Sequence, residues 1–417
     1  MFSRPLFSFL FQIIVLLPVY MMGQTHDLLI LNGHLIDPKT KVDQKMDIGI
    51  TDGIVTKIDA DLSSEDAETI IDAQGLIIIP GLIDIHVHVF HGTTPDRYLA
   101  NSYSSVSPDG FTFESGVTTV VDAGGAGWKN FETFKNQTID RSKTRVLAFL
   151  NIVGQGMSGG AFEQDLNDMD PKLTAMVAKK FSSDIIGVKL AHYNGYDWRP
   201  TEKTVRAGQL AEIPVMVDFG GSQPELPLDT LFIEKLRPGD IYTHVYANVP
   251  GRMAVVDSNG KVLESALKAQ KNGLIFDVGH GGASFIFDQG IPSINQGLYP
   301  DTISTDLHTG SMNAAMKDMV NVMSKFLNMN MSLHQVIEAS TWKPAQVIGR
   351  TELGHISAGG IADITLLKME KGNFGFLDTK NKKIKGNKKL SCQMTIKDGK
   401  VVYDLNGLSG KLWAQNE

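Results

Sequence analysis

Cysteine is almost absent from this chain. Its 417 residues include only Cys392, so no disulfide can form within it, even in an oxidising compartment. A lone thiol of this kind reads as a small buried hydrophobe. Basic charge is not in excess either. Lys and Arg number 39 against 46 Asp and Glu, a formal net charge of −7, which argues against a nucleic-acid partner because that would call for a basic surface. There is no low-complexity tract and no repeat. The one dense charge run, from Lys380 to Lys389, reads as a solvated loop. No apolar run reaches the length of a membrane span: Leu6 to Tyr20 is too short and is interrupted by Gln12 and Pro18.

That short run has another meaning. Arg4 gives a positive start, the apolar stretch follows, and Gly23-Gln24-Thr25 supplies small or polar residues. This is the layout of a secretory signal peptide over residues 1–24, cleaved between about Met22 and Thr25. No cysteine sits there to carry a lipid. The expectation is therefore a secreted or periplasmic protein with no stable membrane insertion after cleavage.

What the rest of the chain has is a rhythm of short apolar runs that end in polar residues. The first is Ile77-Ile78-Ile79-Pro80-Gly81-Leu82-Ile83-Asp84-Ile85-His86-Val87-His88. Alternate strand residues share a face, so His86 and His88 project together, and two imidazoles so placed are half of a metal site. A bare pair of this kind can equally be structural, and the remaining runs decide the matter. They are Gly116–Asp122, Val146–Asn151, Ile185–Leu190, Pro214–Asp218, Asp240–His244, Leu274–His280 and Thr302–Asp306. With the first they make eight, each short and apolar, as fully buried parallel strands are. Helical stretches such as Pro171 to Phe181 and Ser265 to Lys271 lie between them. Eight strand–helix units over the roughly 250 residues such a fold needs point to an α/β, TIM-type (β/α)8 barrel; a doubly wound open sheet is the alternative.

In a barrel of this type, chemistry sits at the C-terminal strand ends. There the sequence places His86, His88, Lys189, Asp218, His244, His280 and Asp306. One polar residue at a strand end is ordinary, whereas several metal-capable groups at one mouth are hard to assign to chance.

These residues resemble the amidohydrolase superfamily of metal-dependent hydrolases, in its amidohydrolase/deacetylase branch near the dihydroorotases and D-aminoacylases. Pro80 to His88 looks like the first-strand signature, Gly187-Val188-Lys189 like the fourth-strand lysine that becomes carboxylated, Thr243-His244 like the sixth-strand ligand, and Ser304-Thr305-Asp306 like the eighth-strand aspartate. The resemblance runs from about Asp27 to Val402. One departure stands out: the family usually ends strand five in histidine, and here the sequence is Val215-Met216-Val217-Asp218. A carboxylate also ligates zinc, at the expense of added negative charge, which favours a harder metal.

The resemblance implies two divalent ions, zinc by expectation, bridged by carboxylated Lys189. His86, His88 and Asp306 would hold one ion, and Asp218 and His244 the other. Such a pair, about 3.5–4 Å apart, can share a hydroxide that attacks an amide, cyclic amide or ester, while Asp306 carries the proton as the catalytic acid–base. His192, Tyr193 and Asn194 follow Lys189 and, with His280, are candidates for holding a small-molecule substrate. His308, His91, Asn151 and Gln155 are weaker candidates near strand ends. His26, His34, His334 and His355 fall elsewhere. The short strand-like segments at both chain ends, residues 25–79 and 346–417, are expected to form a small β-sandwich beside a barrel of residues 80–345. A non-catalytic relative kept for binding or assembly would have lost metal groups, and none of His86, His88, Lys189, His244 or Asp306 is missing. A mononuclear deaminase would leave Lys189 without its bridge. Self-association is left open by the sequence.

Overall fold

The computed structural model describes residues 26–413 apart from 65–66, 92, 95–96, 99–101, 103 and 219–220. The expected leader lies outside the described residues. Five strands open the chain: β1 (His26–Asp37), β2 (Val42–Thr51), β3 (Ile54–Asp59), β4 (Ala67–Asp72) and β5 (Ile77–Pro80). Seven more form a parallel sheet: β6 (Leu82–Val87), β7 (Val117–Gly127), β8 (Arg145–Asn151), β9 (Ile185–Ala191), β10 (Val215–Asp218), β11 (Ile241–Tyr242) and β12 (Ile275–Phe276). The chain closes with β13 (Ile364–Leu377), β14 (Lys383–Lys397) and β15 (Lys400–Asp404).

The parallel sheet keeps sequence order from β6 to β12. Its strands β7 and β9 are buried along their whole length, which is why they read as unbroken apolar runs. The eighth run, Thr302–Asp306, is not a regular strand. It makes isolated parallel bridges to both edges of the sheet, Asp277 to Thr302 and Val87 to Leu307, with Asp306 N–H donating to His86 O at 2.7 Å. The backbone turns left-handed at Asp306 (φ 52°), just after β11 at His244 (φ 57°) and after β12 at Gly279 (φ 46°), conformations through which a strand cannot continue. The helices follow ordinary end chemistry. In the helix Pro171–Lys180, Asp170 accepts from the N–H groups of Lys172 and Leu173, Pro171 opens the first turn, and Lys179 and Lys180 sit in the last.

The first apolar run divides into two strands. Ile77–Pro80 pairs antiparallel with β13, and Leu82 begins the parallel sheet. Gly81 is the hinge: its N–H donates to Asp363 O, and a Cβ there would fall 2.4 Å from Thr118 Oγ1. The two chain ends meet in one mixed sheet of order β15-β14-β13-β5-β1-β2-β3, with β4 also pairing with β1. Leu28, Ile48, Ile364 and Ile396 from both ends share its core. The lysine-rich stretch belongs to this sheet rather than to a loop. It is solvated, but its backbone pairs with β13, for instance Lys389 opposite Glu370. Cys392 is buried, and burial pushes its thiol up to about 12, so it acts as packing.

Arg145, at the start of β8, ties the two sheets together by pairing with Asp363 and Asp398. Asp363 is nearly buried, and its other oxygen accepts the Asp398 N–H at 2.9 Å. Arg145→Ala leaves that carboxylate without its cation. The expected cost is about 1–3 kcal/mol, below the full value for a buried pair because the arginine is partly solvated. A thermal unfolding midpoint equal to that of the parent would contradict this role.

Candidate metal centre and active site

Of the residues named at strand ends, His86, His88, Lys189, Asp218, His244 and Asp306 converge at one mouth, in a cavity of about 440 Å³. His86 lies within β6 and His88 just beyond it, their rings edge to face at 5.5 Å. Three ligating atoms, one each from His86, His88 and Asp306, fall within 4.8 Å of one another. His88 Nε2 is 2.9 Å from Asp306 Oδ1, and His86 Nε2 is 3.7 Å from it.

A hydrogen-bond chain fixes the state of His86. Asp277 accepts the hydroxyls of Thr243 (2.7 Å), Thr302 (2.6 Å) and Ser304 (2.8 Å). The Thr243 proton is thereby committed, so Thr243 Oγ1 accepts from His86 Nδ1 at 2.8 Å. His86 Nε2 is then left as a lone pair aimed at the site. Burial, and then the Lys189 charge, hold His86 neutral by pushing it down to about 3. Asp277 moves the other way. Burial alone would raise it, but His86 beside it and then the Thr302 and Thr243 hydroxyls outweigh that and hold it below the ordinary carboxylate value. Asp306 is likewise held low: its burial is outweighed by His88, His86 and His244.

His244 faces the same mouth. Its Nδ1 is 2.6 Å from the Gly279 carbonyl, which can only accept, so the Nδ1 proton is fixed and Nε2 is the nitrogen left facing the site. That nitrogen lies 3.1 Å from Asp218 Oδ2, a contact that a proton or a metal ion between the two atoms would satisfy. Among the described residues, His88 Nδ1 is a further buried polar atom with no hydrogen-bond partner. This donor set fits a divalent metal. Lys189 is fully buried on β9, its Nζ 3.4 Å from His86 Nε2 and 3.6 Å from Met216 Sδ. Burial lowers its pKa against the pull of Asp218, Asp306 and Asp277.

Glycines make room for these groups. A Cβ at Gly281 would fall 2.3 Å from Asp306 Oδ2, and one at Gly279 would fall 2.6 Å from His244 Nδ1; both residues also have positive φ. At Gly124 a Cβ would strike Lys189 Cγ at 2.7 Å.

Asp218 faces the mouth as expected, but one of its oxygens is already engaged: Oδ1 is 2.5 Å from Arg252 Nη2. His192 lines the cavity. Its Nδ1 is 2.9 Å from Glu163 and its Nε2 is 3.5 Å from Asp218. Burial would lower its pKa, yet these two carboxylates outweigh that and raise it. His308 also lines the cavity, 3.8 Å from Asp306 Oδ2.

Three expected substrate contacts are placed elsewhere. His280 is fully buried behind the wall. It stacks on Phe285 at 4.5 Å, with Nε2 2.7 Å from Lys325 Nζ. The chain turns at Gly281, so Gly282, Ala283 and Ser284 reach the cavity instead. Tyr193 folds back over Gly195, and the Asn194 N–H is held by Gln164 at 2.9 Å; neither is among the residues lining the cavity. His91 pairs with Thr138 and is not in the lining, and Asn151 bonds its side chain to the backbone of Gly124 and Val153. Arg252, Glu163, Lys325 and the Asp277 group were not foreseen. Thr243 and Asp277 do lie within apolar runs already identified, and their periodicity was the available signal. Arg252 follows a Pro-Gly turn with no pattern to mark it. Among the described residues, no helix is long and apolar enough to cross a membrane.

Comparison with known proteins agrees with this geometry. Residues 290–402 match the model of the amidohydrolase family. A deacetylase from Brucella anthropi is 35% identical over 327 residues, covering 76% of this chain and 78% of the relative. The solved structure of an adenine deaminase superposes with a TM-score of 0.80 at 25% identity, over 91% of this chain and 100% of that one. A dihydroorotase structure gives 0.79 at 28% identity, over 90% and 99%. The chain belongs to the amidohydrolase family and is a metal-dependent hydrolase.

Proposed function

We propose that this protein hydrolyses the amide bond of a small N-acyl compound, in the manner of a deacetylase, with cyclic amides and esters as related substrates. The observation that carries the reading is the convergence of His86, His88 and Asp306 at the floor of the cavity, with Lys189 in contact. The similarity to a deacetylase supports the acyl class, and the cavity suits a small molecule. We also infer a closed (β/α)8 barrel over residues 80–345, completed by the segment Thr302–Leu307, and a β-sandwich built from residues 25–79 and 346–417. Export through residues 1–24 belongs to the same proposal.

His86, His88 and Asp306 would hold one divalent ion, zinc by this reading. Asp218 and His244 would hold a second, and carboxylated Lys189 would bridge them. Metals so held polarise a carbonyl and bring a water's pKa toward neutrality. The protein's own part follows from its contacts. The buried Lys189 amine, with its pKa lowered, is available to add carbon dioxide, which turns a poor ligand into a carboxylate. Asp306, ionised and beside the donors, takes the proton from the attacking water and returns it to the leaving nitrogen. Asp277 and Thr243 keep the His86 lone pair aimed at the site.

The defining assay is acid release from a panel of N-acetyl amino acids, cyclic amides and simple esters by zinc-loaded protein. Hydrolysis of none of them would overturn the proposal. Lys189→Ala should remove most activity, and short carboxylic acids should restore part of it by occupying the bridge. Full activity together with full metal content in that variant would remove the bridge from the mechanism. Asp306→Asn keeps shape and one ligating oxygen but cannot take a proton. Its turnover should fall by about 10²–10⁴, the range of general acid–base catalysis, with metal content near that of the parent. Normal turnover with metal retained would pass the proton to another group, with His308 the nearest candidate in the cavity.

A further inference from the structure

The departure from the family at strand five has a counterpart elsewhere in the chain. Asp218 stands where a neutral histidine is usual, which adds one negative charge to the site. Arg252 supplies the opposite charge from the following loop. Its guanidinium is buried, with Nη2 2.5 Å from Asp218 Oδ1, and it lies against Tyr242, its carbon 5.8 Å from the ring centre. The loop that carries Arg252 is pinned to the strand-five loop, where Ser222 N–H donates to Gly251 O at 2.7 Å. Only Asp218 Oδ2 is left facing His244. His192 also approaches Asp218, at 3.5 Å, but it is shared with Glu163 at 2.9 Å, so Arg252 makes the shorter and more direct pair.

We propose that Arg252 is a positioning residue: with Asp218 it forms a composite, equal in net charge to one imidazole, that presents a single oxygen to the second cation. The inference rests on the two-metal reading above. A free carboxylate would hold a divalent ion more tightly than imidazole does and would leave it a weaker Lewis acid toward the substrate. Arg252 offsets that excess and, by holding Oδ1, prevents two-oxygen chelation. Arg252 also lines the cavity, so anchoring a substrate anion is the competing role.

The test is a competitive zinc titration of the metal-depleted full chain against a chromophoric chelator. It compares the parent with Arg252→Met, Arg252→Lys, Asp218→His and the double variant Asp218→His/Arg252→Met. Two zinc equivalents are expected for the parent. In Arg252→Met the weaker equivalent should bind at least about tenfold tighter, and in Asp218→His at least about tenfold weaker, because an unbalanced buried charge then sits beside the ion. The double variant should return to within about threefold of the parent, a strongly non-additive cycle. Arg252→Lys, which keeps the charge, should resemble the parent.

One equivalent in the parent would overturn the two-metal reading and this inference with it. Two equivalents with additive effects would overturn the composite alone. A raised KM for the best N-acetyl amino acid in Arg252→Met, with zinc affinity unchanged, would make Arg252 a substrate anchor instead. If Asp218→His does not fold, the Met and Lys variants still decide, since equal zinc affinity in both overturns the proposal.

Discussion

A buried charge must be answered by another charge or by hydrogen-bond donors, and the mouth of this sheet is built around that requirement. Asp277 shows it most directly. Its carboxylate is held below the ordinary value because His86 beside it and then the hydroxyls of Thr302 and Thr243 outweigh the cost of burial, and Ser304 donates a further hydroxyl at 2.8 Å. Those hydroxyls come from Thr243, Thr302 and Ser304, on either side of Asp277 in the sheet. One carboxylate therefore joins neighbouring strand ends and also sets the tautomer of His86. Asp84 does similar work one layer down. It accepts from Thr305 N–H at 3.1 Å and holds the residue before Asp306 against the first strand. Burial pushes Asp84 up to about 7, with Thr305 and His86 pulling the other way.

The same requirement separates what the sequence reveals from what it hides. Apolar runs ending in His86, His88, Lys189, Asp218, His244 and Asp306 are local patterns, and each follows from strand periodicity. The parallel sheet was legible for that reason. The division of the first run at Gly81 was not, because a glycine inside an apolar stretch does not announce which sheet each half will join. The eighth run carries only Ile303 as an apolar residue, and its backbone leaves strand geometry at Asp306, a left-handed turn for which an Asp or His is only a weak sequence signal. His280 looked like the other strand-end residues and ended behind the wall. Its place depends on Phe285 and Lys325, and no local pattern links those three.

Charge partners are the least legible part of the site. Glu163 and Arg252 reach it from loops far apart in the chain, and each is chosen by what it must neutralise. The lysine-rich stretch shows the converse. Composition alone describes a loop, while the backbone completes a sheet edge to edge, since exposed lysines are compatible with a solvated strand.

The glycines that crowd the metal donors limit how this pocket can be redesigned. Side chains cannot be added at Gly124, Gly279 or Gly281 without displacing Lys189, His244 or Asp306, so that wall is closed to remodelling. Met157, Val249 and Ala283, which also line the cavity, carry no such constraint. Changes in acyl-chain length or side-chain preference, whether arising in nature or in a laboratory library, should accumulate at those positions while the glycine wall stays fixed.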